Sequence, residues 1–234
     1  MLVLAIESAT PVAGVALVTE SKLMAEHYVD YGKTHSQTLM VMVDQLLKGA
    51  GLQLGDLDAL VVSAGPGSFT GLRIGMALGK GLALGAGLPL LGVSTLDGLA
   101  LQAGPCDGPI WPMLDAGRGE VYTCGYRLEE GRPERVGEYR ACRPERLVSE
   151  WAAEGESRVV VLGDGALRYR QLLEASPGLH LVWPPLPALL PRASSLGTLA
   201  VDRLRRGERG DAVSLVPVYA RLSEAERRLQ EEGR

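Results

Sequence analysis

The sequence predicts an α/β protein of two lobes, each built on a mixed sheet with helices on its faces. One order of elements, βββαβαβα, can be followed twice along the chain, the second time in abbreviated form. A run of breakers, Gly104-Pro105-Cys106-Asp107-Gly108-Pro109, separates the two passes. The 234 residues are 46% apolar, enough to bury about 70–75% of the surface the unfolded chain exposes. Early strands joined by short turns pair antiparallel and later strands joined through helices pair parallel, which makes each sheet mixed.

The first pass opens with an apolar strand over 2–6, turns at 10–13, returns over 14–18 and adds a third strand over 24–29. Thr34 then caps a helix whose apolar positions Leu39, Val43, Leu46 and Leu47 recur until Gly49 and Gly51 stop it. A buried-type strand over 59–63, a Gly-Pro-Gly loop, a helix over 70–86 and a strand over 89–93 follow. Ser94 or Thr95 opens the next helix. In the second pass strands are expected over 110–115, 120–126 and 139–142, then a helix over 144–153, a strand over 159–162 and a helix over 167–175. The proline-punctuated run 183–191 reads as an extended connection, and a final helix covers 194–206. The lobes are thus 1–103 and a reduced 104–234, with the last helix a candidate to pack back on the first lobe.

Composition narrows the function. A net charge of −4 argues against the chain gripping a polyanion alone, because phosphate contacts supply most nucleic-acid affinity. Any link to RNA then runs through a partner. Cys106, Cys124 and Cys142 form no C-x-x-C pair, the usage of a reduced protein. The apolar start stops at Glu7, too short for a signal-peptide core, and no run approaches the roughly 20 apolar residues of a membrane span. A cytoplasmic protein is expected. His27, His35 and His180 make no H-E-x-x-H motif, and no G-x-S-x-G occurs, which disfavours a metal hydrolase and a serine hydrolase. The basic clusters at 203–206 and 227–228 are flanked by acids and read as solvated helix faces.

The Gly65-Pro66-Gly67-Ser68-Phe69-Thr70-Gly71 loop joins a strand to a helix. It could hold an anion at the helix N-terminus or serve as a turn with Ser68 or Thr70 as the cap; it lacks the spacing of a Walker A loop. The helix behind it is more informative. Glycines at 75, 79, 81 and 85 together cost roughly 3–4 kcal/mol relative to alanine, so close approach by a neighbour must offset them. Gly71, Gly75, Gly79 and Ala83 make one small-residue row and Ala77, Gly81 and Gly85 a second, which calls for two neighbours: this lobe's own sheet and another chain. The helix after Thr34, carrying Met40 and Met42 besides its leucines, is apolar over more than one stripe. These features set a partner interface at His35, Leu39, Met42, Val43, Leu46, Gly71, Gly75, Met76, Gly79 and Ala83.

A duplicated βββαβαβα order is the topology of the actin, sugar-kinase and heat-shock ATPase superfamily. In that superfamily, carboxylates after the first strand of each lobe organise magnesium and phosphate, and the matching positions here are Glu7 and Asp115. Asp115-Ala-Gly117-Arg118-Gly119 is similar to a phosphate hairpin, and Val161-Leu-Gly163-Asp-Gly165 to an adenosine-binding turn. A stand-alone ATP-dependent phosphotransferase is the alternative these residues keep open.

Six blocks together resemble the TsaB (YeaZ) family: Leu4-Ala-Ile-Glu7-Ser8, Gly65-Pro-Gly-Ser-Phe-Thr-Gly-Leu-Arg-Ile-Gly75, Gly81-Leu-Ala-Leu-Gly85, Leu91-Gly-Val-Ser-Thr-Leu96, Asp115-Ala-Gly-Arg-Gly-Glu-Val-Tyr122 and Pro217-Val-Tyr219-Ala-Arg221. The matching motif positions include Pro66, Gly67, Ser68, Phe69, Thr70, Arg73, Arg118, Glu120 and Tyr122. Glu7 stands where the family commonly has Asp, and the 115–119 block carries an extra glycine. The resemblance implies an actin-like fold with a reduced second lobe, no catalytic residues and no required cofactor. It implies pairing through first-lobe helices with a catalytic TsaD-like subunit, joined by a TsaE-like ATPase, in making threonylcarbamoyladenosine in tRNA. It further implies contact with tRNA only through that complex and a homodimer when alone. Whether an adenine nucleotide sits at the paired interface is left open.

Overall fold

The computed structural model describes residues 1–218 and Ala220. Tyr219 and Arg221 of the last motif, and the 227–228 cluster, lie outside the described residues. The first sheet contains β1 (Leu2–Glu7), β2 (Ala13–Thr19), β3 (Leu23–Val29), β4 (Ala59–Gly65) and β5 (Leu90–Ser94), in the order β3-β2-β1-β4-β5. The second contains β6 (Ile110–Gly117), β7 (Glu120–Glu129), β8 (Arg132–Cys142), β9 (Arg158–Leu162) and β10 (His180–Val182), in the order β10-β9-β6-β7-β8. Read from the opposite edge, the second order repeats the first, so each pass places its first strand at the centre. The first three strands pair antiparallel and the last two parallel in both.

The reduction of the second pass falls on its helices. α1 (His35–Ala50) and α2 (Phe69–Ala86) cover one face of the first sheet with 16 and 18 residues. α4 (Pro144–Ala153), α5 (Asp164–Arg168) and α6 (Arg170–Glu174), of 10, 5 and 5 residues, cover the matching face of the second. The remaining two helices are exchanged between passes. α3 (Thr95–Gln102) packs Leu96, Leu99 and Ala100 against Ile110, Leu114 and Tyr126 of the second sheet. α7 (Ala193–Arg205) packs Leu196, Ala200 and Val201 against Val3, Ala5, Val18 and Val61 of the first. Each buried leucine in these layers contributes about 2 kcal/mol of transfer free energy, so neither sheet is closed without the other pass. Beyond α7 the chain returns along β5: Leu215 fills the space over Gly92, and the Val218 amide donates to the Ala64 carbonyl at 2.7 Å.

Four elements differ from the sequence reading, one of them β10, a three-residue strand that the sequence reading does not contain. β8 starts at Arg132, well before 139, because its outer half alternates charged residues along an exposed edge and carries no apolar signal. The helix expected over 167–175 breaks at Tyr169, whose backbone leaves the helical region and opens α6. Within the stretch expected to be extended, Leu186–Ala188 closes a 3₁₀ turn.

Candidate functional site

Two places concentrate the residues singled out by the sequence: the strand ends between the lobes, and the outer face of the α1–α2 pair.

Glu7 ends β1 in the register of Val3 and Ala5, the residues that face α7. It is fully buried. Its Oε1 accepts the Ala9 amide at 2.6 Å, while Oε2 has no partner among the described residues. Burial pushes its pKa up to about 7, opposed by the Ala9, Ser63 and Ser8 hydrogen bonds and assisted by the charge of Asp164. Asp164 comes from the other lobe, at the start of α5. Its Oδ1 accepts the amides of Asp115 at 3.3 Å and Gly165 at 3.0 Å. Burial, with the nearby Asp115 charge, raises it to about 6.

Asp115 is occupied differently. Its Oδ1 accepts the Gly117 amide at 3.1 Å and its Oδ2 the Arg168 guanidinium at 2.5 Å. The hairpin beyond turns on Arg118 and Gly119 with φ of 57° and 82°, the pair of left-handed residues that a two-residue type I′ turn requires, while Gly117 pairs with Glu120. The structure therefore brings Glu7 and Asp115 to facing strand ends, but Asp164, not Asp115, is the second-lobe acid that acts on Glu7. Asp164 was visible in the sequence inside Gly163-Asp-Gly165; that its carboxylate accepts the Asp115 amide and that its charge is felt at Glu7 was not. Among the described residues no three His, Cys, Asp or Glu side chains converge as metal ligands.

The Gly65–Gly71 loop is filled by the chain itself. Ser68 caps α2, its Oγ accepting the Gly71 amide at 3.2 Å, and its own amide donates to the Ala9 carbonyl at 2.6 Å. A Cβ on Gly67 would lie 2.4 Å from the Ala9 carbonyl oxygen, and one on Gly71 would lie 2.1 Å from that of Ser8. The segment after β1 thus occupies the place where an anion would approach. Pro66 is buried below this turn, whereas Phe69, Thr70 and Arg73 are exposed above it, with the Arg73 guanidinium 3.8 Å from the Phe69 ring centre. Glu120 and Tyr122 are partly buried on β7.

The helix pair requires a correction. Leu39, Met42, Val43, Leu46, Met76 and Ala83 are buried in the first lobe's own core, and Gly71, Gly75 and Gly79 face the same way. A Cβ at Gly75 would lie 2.1 Å from Ser8 Oγ, and one at Gly79 would lie 2.4 Å from Val62 Cγ1. This row exists so that α2 can press against its own sheet. His35 is partly buried, its Nε2 3.1 Å from the Val12 carbonyl. The second row is the open one: nothing lies within 4 Å of a Cβ built on Gly81 or Gly85. Beside it Ala77 and Leu84 of α2 are exposed, Leu84 by 63%; on α1 Met40 is exposed, and Val41 lines a groove against Tyr28 and Val29 of β3.

Comparison with known proteins agrees with this architecture. The family model described as TsaD, tRNA N6-adenosine threonylcarbamoyltransferase, matches residues 29–228. The tRNA threonylcarbamoyladenosine biosynthesis protein TsaB of Bacillus subtilis is 35% identical over 97% of this chain and 96% of its own. The solved structure of YeaZ from Pseudomonas aeruginosa superposes with a TM-score of 0.79 at 33% identity, covering 93% of this chain and 99% of that one. The activator of 2-hydroxyisocaproyl-CoA dehydratase from Clostridium difficile, solved with bound ADPNP, matches with a TM-score of 0.52 at 11% identity over 88% of this chain and 97% of its own, a likeness of fold alone.

Proposed function

The chain belongs to the TsaB family of tRNA threonylcarbamoyladenosine biosynthesis proteins, and from that premise we propose that it is the non-catalytic subunit that binds and activates a TsaD-like catalytic subunit. A TsaE-like ATPase joins the pair, and tRNA is reached only through the assembly. The observation that carries this reading is the open face of α1 and α2. Ala77, Gly81, Leu84 and Gly85 of α2, with Met40 exposed on α1, leave a shallow apolar surface on which another helix pair can approach backbone to backbone. A match to the family model of the catalytic enzyme supports a partner of like fold. In the absence of that partner the same face serves a homodimer, and the setting is cytoplasmic.

The acids argue in the same direction. Phosphoryl transfer needs carboxylates free to hold magnesium; here Asp115 is bound by Arg168, and Glu7 is enclosed, with burial pushing its pKa up to about 7. Calorimetry with magnesium and ATP tests the phosphotransferase alternative, which gains only if binding and turnover disappear in Asp115→Ala.

Pairing is tested by mixing the purified chain with a TsaD-family subunit and following complex formation by sedimentation, and threonylcarbamoyl transfer to tRNA by activity. Gly81→Trp and Leu84→Glu should each weaken pairing about 100-fold, as changes at the centre of an interface do, and leave the isolated chain folded, with an unaltered far-ultraviolet circular dichroism spectrum. If both variants pair as the unmodified chain does at micromolar concentration, the face is wrongly assigned.

A further inference from the structure

The open face of α2 is too small to hold a partner alone. A stable interface covers about 800 Å² on each side, whereas among Ala77, Gly81, Leu84 and Gly85 only Leu84 carries a large side chain. The surface that continues this face is the chain beyond α7. Residues 210–218 form a strap that runs along β5 on the side of α2. A Cβ on Gly210 would lie 2.2 Å from the Leu90 carbonyl oxygen, and Ala212 is buried in the core that contains Ala83 and Leu90. Leu215 then lies over Gly92, and the Val218 amide reaches Ala64.

α2 holds the strap directly. Lys80 donates to the Val213 carbonyl at 3.2 Å, and Lys80 shares its side of the helix with Ala77, three residues before it, and Leu84, four after. Asp211 fixes the start of the strap by accepting the amides of Val213 at 2.9 Å and Ser214 at 3.0 Å. Ala212 and Leu215 turn inward, whereas Val213 is 75% and Val216 69% exposed. A single exposed valine is ordinary. Two on a strap that is bonded to the flank of an open, glycine-lined helix face extend that face into one apolar patch, the kind of surface that marks a protein contact.

We propose that the strap 210–218 is the flank of the surface that docks the TsaD-like subunit, with Val213 and Val216 covered by the same partner that covers Leu84. The inference rests on α2 being the pairing face and adds to it a second element, drawn from the end of the fold. The test uses the full chain mixed with a TsaD-family subunit. Hydroxyl-radical footprinting should show Val213 and Val216 protected together with Leu84 on pairing. Val213→Glu and Val216→Glu change side chains that face solvent, so each should leave the circular dichroism spectrum unaltered. Each should weaken pairing about tenfold by placing a carboxylate against an apolar partner surface, and the double variant by more than either. Protection of Leu84 without the valines, or pairing weakened by Leu84→Glu but by neither valine variant, would overturn the proposal and leave the α2 face in place. Pairing indifferent to Leu84→Glu as well would remove both. Valines already protected in the unpaired chain would show another part of this chain lying on them, and self-association lost in Val213→Glu with pairing intact would show a second copy there; either result would overturn the proposal.

Discussion

Glu26 on β3 and Arg192 ahead of α7 are joined across 166 residues of sequence. The Glu26 carboxylate takes the Arg192 Nε at 2.9 Å and its Nη2, and also accepts the Ser194 amide at 3.0 Å. Because Arg192, the residue at the cap position, makes no side-chain cap, Glu26 supplies that function from another element and fixes the exchanged helix on the first sheet. Glu26→Ala should cost about 2–4 kcal/mol, combining a lost cap of about 1 kcal/mol with a stranded, largely buried guanidinium. Urea denaturation of Glu26→Ala, Arg192→Met and the double variant checks this. The double variant should lose less than the sum of the singles, since both remove one interaction.

The two glycine rows of α2 should respond to alanine with opposite signs. At Gly75 or Gly79 the new methyl collides with Ser8 or Val62, and overpacking of that kind costs about 1–3 kcal/mol. At Gly81 the methyl meets open space, and the higher helix propensity of alanine should stabilise the isolated chain by about 0.8–1 kcal/mol. Equal losses at all three positions in thermal denaturation would mean that the second row is covered too.

This contrast also marks how far the sequence could be read. The helix limits were legible because their signals are local: Thr34 precedes α1, Gly51 closes it in the left-handed region at φ 69°, and Ser68 caps α2. Spacing showed that α2 carries two small rows but not which one the sheet covers. The clue was Leu72 and Met76, whose bulk shares a face with Gly75 and Gly79, whereas Gly81 and Gly85 neighbour Lys80 and Leu84. Strand β10 was hidden because three residues before a proline run give no period. The Glu7–Asp164 relation was hidden because it joins strand ends of different lobes. What was not legible depends on long-range placement, as does the packing of α7 on the first sheet.

Glu7 makes stability depend on pH in an unusual direction. Its folded pKa, about 7, lies above the 4.5 of an unperturbed glutamate, so between those values the folded state holds a proton that the unfolded state has lost. Stability from this group is full below about pH 4.5 and falls as pH rises through 7, by an amount on the order of 3 kcal/mol. Asp164, raised from 3.8 to about 6, adds a loss of the same sign over a lower window. Glu7→Gln, neutral at every pH, should remove most of the decline and be more stable than the unmodified chain at pH 8. Melting temperatures from pH 4.5 to 8 test this; parallel curves for the two proteins would show that Glu7 does not titrate in that range.

Asp97 ties the exchanged helix α3 to the second sheet, because its Oδ1 accepts the hydroxyls of Tyr126 at 2.6 Å and Tyr139 at 2.8 Å. Tyr126 is fully buried, and burial together with the Asp97 charge drives its ionisation far above the usual tyrosine range, so it acts only as a donor. Asp97→Ala leaves that donor without an acceptor and should cost about 2–4 kcal/mol, more than the roughly 1 kcal/mol expected for Tyr139→Phe, which leaves the carboxylate one bond. Asp97→Asn retains a carbonyl acceptor and should fall between them. A double-mutant cycle of Asp97→Ala with Tyr126→Phe should give a coupling above about 1 kcal/mol. A coupling near zero would mean that apolar packing of Leu96 and Leu99 holds α3 without help from the tyrosines.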